Sequence, residues 1–244
     1  MSDSLVGVVL MGGQSSRMGR DKSQLMLPTS SSSLRYNSPR RITLTDKEKS
    51  VASLSILRPQ KNDIPDNSNK EVVSSSVPRD RDVSRTTFAE LAHTKLKCYV
   101  DEVYYSINKD QLNLKLDNTI LDEYENEGPL SGIISALRAT QQSVLLLGVD
   151  LPLIRKQTIK NLIKYRNWDL LTTTYYDDKN AKWEPMLSIW EIETLPALEK
   201  YFDTGGRSIQ KFLNQFGNQR VQMNHPEEFK NVNTMEEYQA LITN

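Results

Sequence analysis

Residues Leu5 to Lys22 read Leu-Val-Gly-Val-Val-Leu-Met-Gly-Gly-Gln-Ser-Ser-Arg-Met-Gly-Arg-Asp-Lys. Val6 to Met11 is a near-continuous apolar run rich in β-branched residues, the pattern of a strand buried on both faces. It breaks at Gly12-Gly13, where a backbone without Cβ atoms can turn sharply and lie close to a ligand. Arg17, Arg20 and Lys22 follow as three basic side chains against one acid, Asp21. A buried strand feeding a glycine turn lined with free amides and cations suits the phosphates of a nucleotide. Two common phosphate motifs do not account for it. A Walker A loop needs Gly-Lys-Ser/Thr where Gly19 is followed by Arg20-Asp21-Lys22, and Gly12-Gly13 with Gly19 does not have the G-x-G-x-x-G spacing.

Composition narrows the class. A chain of 244 residues suits one domain, or one domain plus an insertion. The formal charge is zero, which argues against nucleic acid or an anionic membrane as the main partner and makes the basic cluster a local feature. Cys98 as the single cysteine excludes an internal disulfide framework, and with only His93 and His225 it argues against a zinc site. No run approaches the roughly 20 apolar residues of a membrane span. The N-terminal Met-Ser-Asp-Ser shows no basic region ahead of the first strand, so the expectation is a cytoplasmic protein without a signal peptide.

After Lys22, Gln24 to Leu27 reads as a short strand. From Pro28 to about Thr86 the chain is rich in Ser, Lys, Arg, Asp and Asn, with Tyr36 its single aromatic residue. Such a stretch buries too little apolar area to offset about 1–2 kcal/mol of backbone entropy per ordered residue. It reads as a mostly disordered insertion with a short ordered piece at Val51 to Leu57, passive rather than a lid or docking segment. Phe88, Leu91, Ala92 and Leu96 then fall at helical spacing behind Thr86 or Thr87 as N-cap, and Val103 to Asn108 reads as a strand. Leu112 to Leu116 is a weaker strand pattern. Gly128-Pro129 ahead of Ile133, Ile134, Ala136 and Leu137 signals a helix start. Ser143 to Val149 is the most hydrophobic run in the chain and reads as a central strand. Asp150 stands directly after it, at the edge where Gly12-Gly13 emerges if the two strands are parallel neighbours. There it is a ligand candidate for Mg²⁺, which favours one or two carboxylates beside phosphate oxygens and water. An Asp capping the next helix is the plainer alternative. Leu170 to Tyr175 reads as a strand and 194–202 as a helix. Asn231 and Asn233 would share one face of a strand at period two, and Thr234 with Glu237 reads as a capping box.

These motifs, taken together, resemble the Rossmann-like nucleotidyltransferases, and within them the molybdenum cofactor guanylyltransferase family. Its signature Leu-Ala-Gly-Gly-x-Ser-x-Arg-Met-Gly-x-Asp-Lys is met from Leu10 to Lys22, with Met11 in place of Ala. Further matches are Asn108 at a strand end, Asp122 followed by Gly128-Pro129-Leu130-Ser131-Gly132-Ile133, Asp150-Leu151-Pro152, Glu184-Pro185-Met186-Leu187, the Gly205-Gly206-Arg207-Ser208 helix start, and Phe229-Lys230-Asn231-Val232-Asn233-Thr234. The resemblance covers nearly all of the chain outside the insertion, which family members lack. It implies a three-layer α/β/α domain with a mostly parallel sheet and one or more antiparallel strands in the C-terminal part. It implies transfer of GMP from GTP to the phosphate of molybdopterin, or molybdenum cofactor, with Mg²⁺ and release of pyrophosphate. Leu10, Gly12, Gly13, Gln14, Ser15, Lys22, Asn108, Asp122, Gly128, Pro129, Leu130, Gly132 and Asp150 would contact the nucleotide. Arg17, Lys22 and Asp150 would act in the reaction, with Asn231 or Asn233 completing the metal site. Glu184, Lys182 and Arg207 would border the acceptor. On the residues alone, Asn108 reads equally as a turn residue, Lys182 as a solvated charge, and Gly128-Pro129 as a helix cap with Asp122 a surface acid. Transient contacts with other cofactor-biosynthesis proteins or molybdoenzymes belong to the same implication. The alternatives are a cytidylyl- or sugar-phosphate nucleotidyltransferase of the same fold and a non-catalytic nucleotide-binding accessory protein. Gly12-Gly13, where cytidylyl relatives tend to carry Ala-Gly, favours GTP.

Overall fold

The computed structural model describes residues 4–12, 21–28, 85–125 and 127–243. They belong to one compact unit made of Met1–Thr29 and Arg85–Asn244. The expected insertion, apart from its two ends, and the short ordered piece at Val51 to Leu57 lie outside the described residues. In chain order the strands and helices are β1 (Leu5–Leu10), β2 (Met26–Pro28), β3 (Arg85–Thr87), α1 (Phe88–Leu96), β4 (Val103–Ile107), β5 (Thr119–Leu121), α2 (Pro129–Thr140), β6 (Ser143–Gly148), α3 (Lys156–Lys164), β7 (Thr172–Asp177), β8 (Lys182–Trp190), α4 (Leu195–Asp203), α5 (Ile209–Gln215), β9 (Asn218–Gln222) and α6 (Met235–Thr243).

Seven strands form one sheet in the order β5-β4-β1-β6-β8-β7-β9. The pairs from β5 to β6 are parallel, β8 runs antiparallel to both β6 and β7, and β9 is parallel to β7. The sheet is therefore mostly parallel with one reversed strand in the C-terminal part, as the sequence implied.

Alternation along the central strands explains the layers. Val9, Leu145 and Leu147 point to a core shared with Phe88, Ala92 and Leu96 of α1 and Ile159 and Leu162 of α3. Val8, Leu10, Val144 and Leu146 point to the opposite core with Ile133 and Leu137 of α2 and Phe212 of α5. Strands that are apolar on both faces require helices on both, and that makes the three layers.

Local chemistry sets the helix starts. Thr87, not Thr86, caps α1: its hydroxyl accepts from Glu90 N (3.1 Å) while Glu90 returns a carboxylate oxygen to Thr87 N (2.8 Å). Thr234 and Glu237 form the expected box ahead of α6.

Two expectations are corrected. Leu112 to Leu116 is not a strand; Lys109–Leu114 is a 3₁₀ turn nucleated by a box between Asn108 and Gln111. Asn231 and Asn233 do not lie on a strand. Their segment is irregular and is fastened by Val232 N donating to Asp150 O (3.0 Å). Among the described residues no helix is long and apolar enough to cross a membrane.

Candidate functional site

Register brings the site together. Leu10 of β1 pairs with Ser106 of β4 on one side and Gly148 of β6 on the other, and Ile107 pairs with Leu121 of β5. Four parallel strands thus end at one edge of the sheet, and the chain leaves them as Met11-Gly12, Asn108, Asp122 and Val149-Asp150. Backbone bonds continue across the exits: Met11 N to Ser106 O (3.2 Å), Val149 N to Leu10 O (3.1 Å) and Asp122 N to Ile107 O (2.8 Å). The carboxyl edge of such a sheet is where ligands bind in open α/β folds. A pocket of about 220 Å³ opens there.

Of the residues singled out from sequence, Leu10, Gly12, Lys22, Asn108, Asp122, Gly128, Pro129 and Asp150 line this pocket. Gly13, Gln14, Ser15 and Arg17 lie outside the described residues. Gly12 has φ +81°, strained for any other residue, and among the described residues nothing lies within 4 Å of a would-be Cβ. Leu130 and Gly132 are not on the wall. Leu130 is fully buried, and a Cβ on Gly132 would meet Leu10 Cδ1 at 2.5 Å and Ser106 Oγ at 2.6 Å. Gly132 lets α2 sit close against β1 and β4, and Leu130 packs in the core beneath the wall.

The described chain resumes at Asp21. Its Oδ1 accepts from Ser23 N (2.9 Å) and Ser23 Oγ (2.7 Å), and its Oδ2 accepts from Gln111 Nε2 (2.9 Å). Gln111 is itself held by Asn108, so the end of β4 fixes where Lys22 emerges. Asn108 is both a turn residue and a pocket residue. The Lys22 ammonium donates to Asn233 Oδ1, joining the C-terminal segment to the pocket. Asn231 is exposed.

Two acids define the electrostatics. The Asp122 carboxyl is pushed up to about 6 by burial, partly offset by the Ser106 hydroxyl that donates to its Oδ1 (2.6 Å). Burial also raises Asp150, while the Lys22 ammonium draws it down. Asp150 Oδ1 is buried and, among the described residues, has no hydrogen-bond partner. Such an orphan costs roughly 1–3 kcal/mol, more for a charge, and calls for an explanation. Gly148 makes the place for it, since a Cβ there would stand 2.5 Å from Asp150 Oδ1.

Glu184 and Lys182 sit on β8 beyond the pocket wall. Pairing with β7 shifts between Thr174, opposite Ser188, and Tyr175, opposite Glu184, which leaves Pro185 in the irregularity. A residue without an N–H is tolerated at such a place. The Thr174 hydroxyl donates to the freed Glu184 carbonyl (2.9 Å). Burial raises the Glu184 carboxyl, Lys182 lowers it, and Asp177 and Asp150 raise it further, so its charge shares a field with the pocket. Lys182 is exposed. Arg207 is already engaged: it pairs with Glu127, donates to Phe202 O (2.7 Å) and lies over the Phe202 ring (3.7 Å).

The sequence reading did not name six wall residues, Met11, Tyr124, Glu127, Gly148, Val149 and Met186, nor the supporting Ser106. Gly148 carried a signal, a glycine at the end of the most apolar strand. Tyr124 carried none, because its place comes from Ser131 Oγ donating to its carbonyl (2.8 Å) and from the Phe202 ring 4.5 Å away.

Comparisons with known proteins bear on the family and the fold. The model of the MobA-like NTP transferase domain matches residues 81–221. A molybdenum cofactor guanylyltransferase of Pseudomonas entomophila is 32% identical over 124 residues, 47% of this chain and 61% of that protein. One from Pseudomonas putida is 29% identical over 125 residues, 50% of this chain and 64% of that protein. One from Helicobacter pylori is 25% identical over 162 residues, covering 65% and 77%. The chain thus spans less than two thirds of the two Pseudomonas relatives. Molybdopterin-guanine dinucleotide biosynthesis protein A of Archaeoglobus fulgidus has the same fold, with a TM-score of 0.63 at 16% identity over 98% of this chain and 97% of that one. Since the family model covers more than half of the sequence, this chain belongs to the family of MobA-like NTP transferase domains.

Proposed function

We propose that the chain is a single nucleotidyltransferase domain, interrupted by residues 28–86, that moves GMP from GTP to the phosphate of molybdopterin or molybdenum cofactor. The observation that carries this reading is the convergence of Gly12, Lys22, Asn108, Asp122 and Asp150 on one pocket at the carboxyl edge of the sheet. The names of the relatives point to the same activity. An oxygen of the acceptor phosphate attacks the α-phosphorus, a new P–O bond forms, the bond to the β-phosphate breaks, and pyrophosphate leaves. This chemistry needs positioning and charge neutralisation rather than a covalent nucleophile. The Gly12 turn and the residues after it would cradle the phosphates, with Lys22 and Arg17 facing their charge. Asp122, Gly128 and Pro129 would hold the nucleoside. Glu184 would face the acceptor, while Arg207, committed to Glu127 and Phe202, would shape that side rather than bind an anion.

Asp150 suits a hard divalent cation: its orphaned, buried carboxylate oxygen is the donor type such ions take. Mg²⁺ held there would draw off charge from the triphosphate oxygens. Asn233, held by Lys22, stands closer to that place in the network than exposed Asn231.

The test is pyrophosphate release from each of the four ribonucleoside triphosphates, with Mg²⁺ and molybdopterin. The expected outcome is release confined to GTP and dependent on molybdopterin, falling at least about a hundredfold in Asp150→Asn. Turnover of CTP would make the chain a cytidylyltransferase of this fold. GTP binding without release under any of these conditions would leave a nucleotide-binding accessory protein.

A further inference from the structure

Lys95, on α1, has no part in the roles above, yet it is 9% exposed, and among the described residues its ammonium makes one hydrogen bond, to Pro152 O at 2.7 Å. A buried ammonium is expensive unless it is paired and bonded. Glu228 supplies the facing negative charge. That carboxylate is committed elsewhere, accepting from Arg155 N (3.0 Å), the Arg155 guanidinium and the Thr158 hydroxyl.

Residues 150–155 are consequently gripped from outside. Val232 N holds Asp150 O, Lys95 holds Pro152 O, and Glu228 holds Arg155 N. The bonds within the turn are long: Leu151 N to Gly148 O and Ile154 N to Leu151 O are both 3.3 Å. Pro152 contributes no N–H. The Asp150 carboxylate is tied locally to its own backbone N–H and faces the Lys22 charge, while its Oδ1 has no partner among the described residues. Its direction is set by the path of its backbone, and that path depends on the three external grips.

We propose that Lys95 is a positioning residue that, by holding the Pro152 carbonyl, fixes the Asp150–Pro152 turn with the carboxylate aimed at a divalent cation in the pocket. This rests on the metal reading of Asp150 given above. A flexible turn would bind the cation at the added cost of ordering it; a turn held by a buried ammonium has met that cost on folding.

The experiment uses the full chain with Mn²⁺ as probe, its binding in the presence of GTP followed by electron paramagnetic resonance. GTP affinity is measured separately in EDTA. In Lys95→Met, close in volume but without a donor, the Mn²⁺ dissociation constant is expected to rise about tenfold, with GTP affinity in EDTA changed less than about twofold. Lys95→Gln, whose amide still donates, is expected to recover part of the loss, and it carries the comparison if Lys95→Met does not fold. Mn²⁺ binding as tight as wild type in both variants overturns the proposal. So does a parallel loss of GTP and Mn²⁺ affinity, the mark of a merely structural role. If wild type and Asp150→Asn bind Mn²⁺ alike, the metal reading itself fails and takes this proposal with it.

Discussion

Asp150 leaves the sheet one strand from the glycine turn and Asp122 two strands from it, and burial penalises the charge of both. For Asp122 the consequence for stability has a definite sign. Its folded value of about 6 lies above the ordinary 3.8, so the folded protein holds the proton more tightly than the unfolded chain. The stabilisation from that proton is complete below pH 3.8 and is lost as pH rises through 6. Asp122→Asn removes the charge and keeps an oxygen for the Ser106 hydroxyl. Urea titration at pH 7.5 should show a gain of about 1–2 kcal/mol, the full effect of the raised value being reduced by partial exposure. At pH 4 the gain should shrink towards zero, while GTP binding at pH 7.5 weakens by about tenfold. A variant no more stable than wild type at pH 7.5 would mean that the carboxylate is better solvated than its surroundings indicate.

α2 shows how an element serves a site it scarcely touches. Gly128, at φ +78°, and Pro129 start it at the pocket wall, and its apolar face packs on β1 and β6. Gly132 lets it approach closely enough for Ser106 to reach Asp122. Gly132→Ala must displace the ends of the Leu10 and Ser106 side chains, because a Cβ lies 2.5 Å from Leu10 Cδ1 and 2.6 Å from Ser106 Oγ, and this disturbs the Ser106 bond to Asp122. The expected cost is about 1–3 kcal/mol in unfolding free energy, together with weaker nucleotide binding. Unchanged urea midpoints would show that the interface has slack. At the other end of α2, Arg138 joins Glu199 of α4 (2.7 Å) and the Tyr124 hydroxyl (3.1 Å). The helix is thus tied into the loop that carries Asp122 and Glu127.

Across the molecule, the long interruption enters and leaves at one place. Met26 pairs with Thr87, Leu27 with Thr86 and Pro28 with Arg85, antiparallel, so the two ends are already strands of a hairpin. Leu25 O accepts from Phe88 N (2.9 Å), which carries the ribbon straight into α1. Replacing residues 29–84 with Asn-Gly, the preferred two-residue turn for such a pair, is expected to leave the melting temperature within about 3 °C and GTP affinity within about twofold. A tenfold loss of GTP affinity in a stable shortened chain would show that the removed residues belong to the site.

The strong local signals were legible from the chain alone. β1 and β6 are apolar on both faces, the Gly12 turn and the Gly128-Pro129 start are made by backbone chemistry, and the Thr87 and Thr234 boxes are three-residue reciprocities. Each depends on neighbours in sequence, so each can be read there. β9, Asn-Gln-Arg-Val-Gln, has Val221 as its one buried residue, and β5 has Ile120. Edge strands of this kind carry no apolar alternation, and pairing alone makes them strands. The 3₁₀ turn after Asn108 replaced an expected strand because the reciprocal bond to Gln111 outweighed a weak apolar pattern. Asn108, Asp122 and Asp150 were named from the resemblance, but their meeting with Gly12 at one pocket follows from parallel register between β1, β4, β5 and β6, which no single segment encodes. The unpartnered oxygen of Asp150, the space left by Gly148 and the grip of Lys95 on Pro152 join residues up to 57 positions apart. They exist only once the sheet has closed and taken those groups out of water.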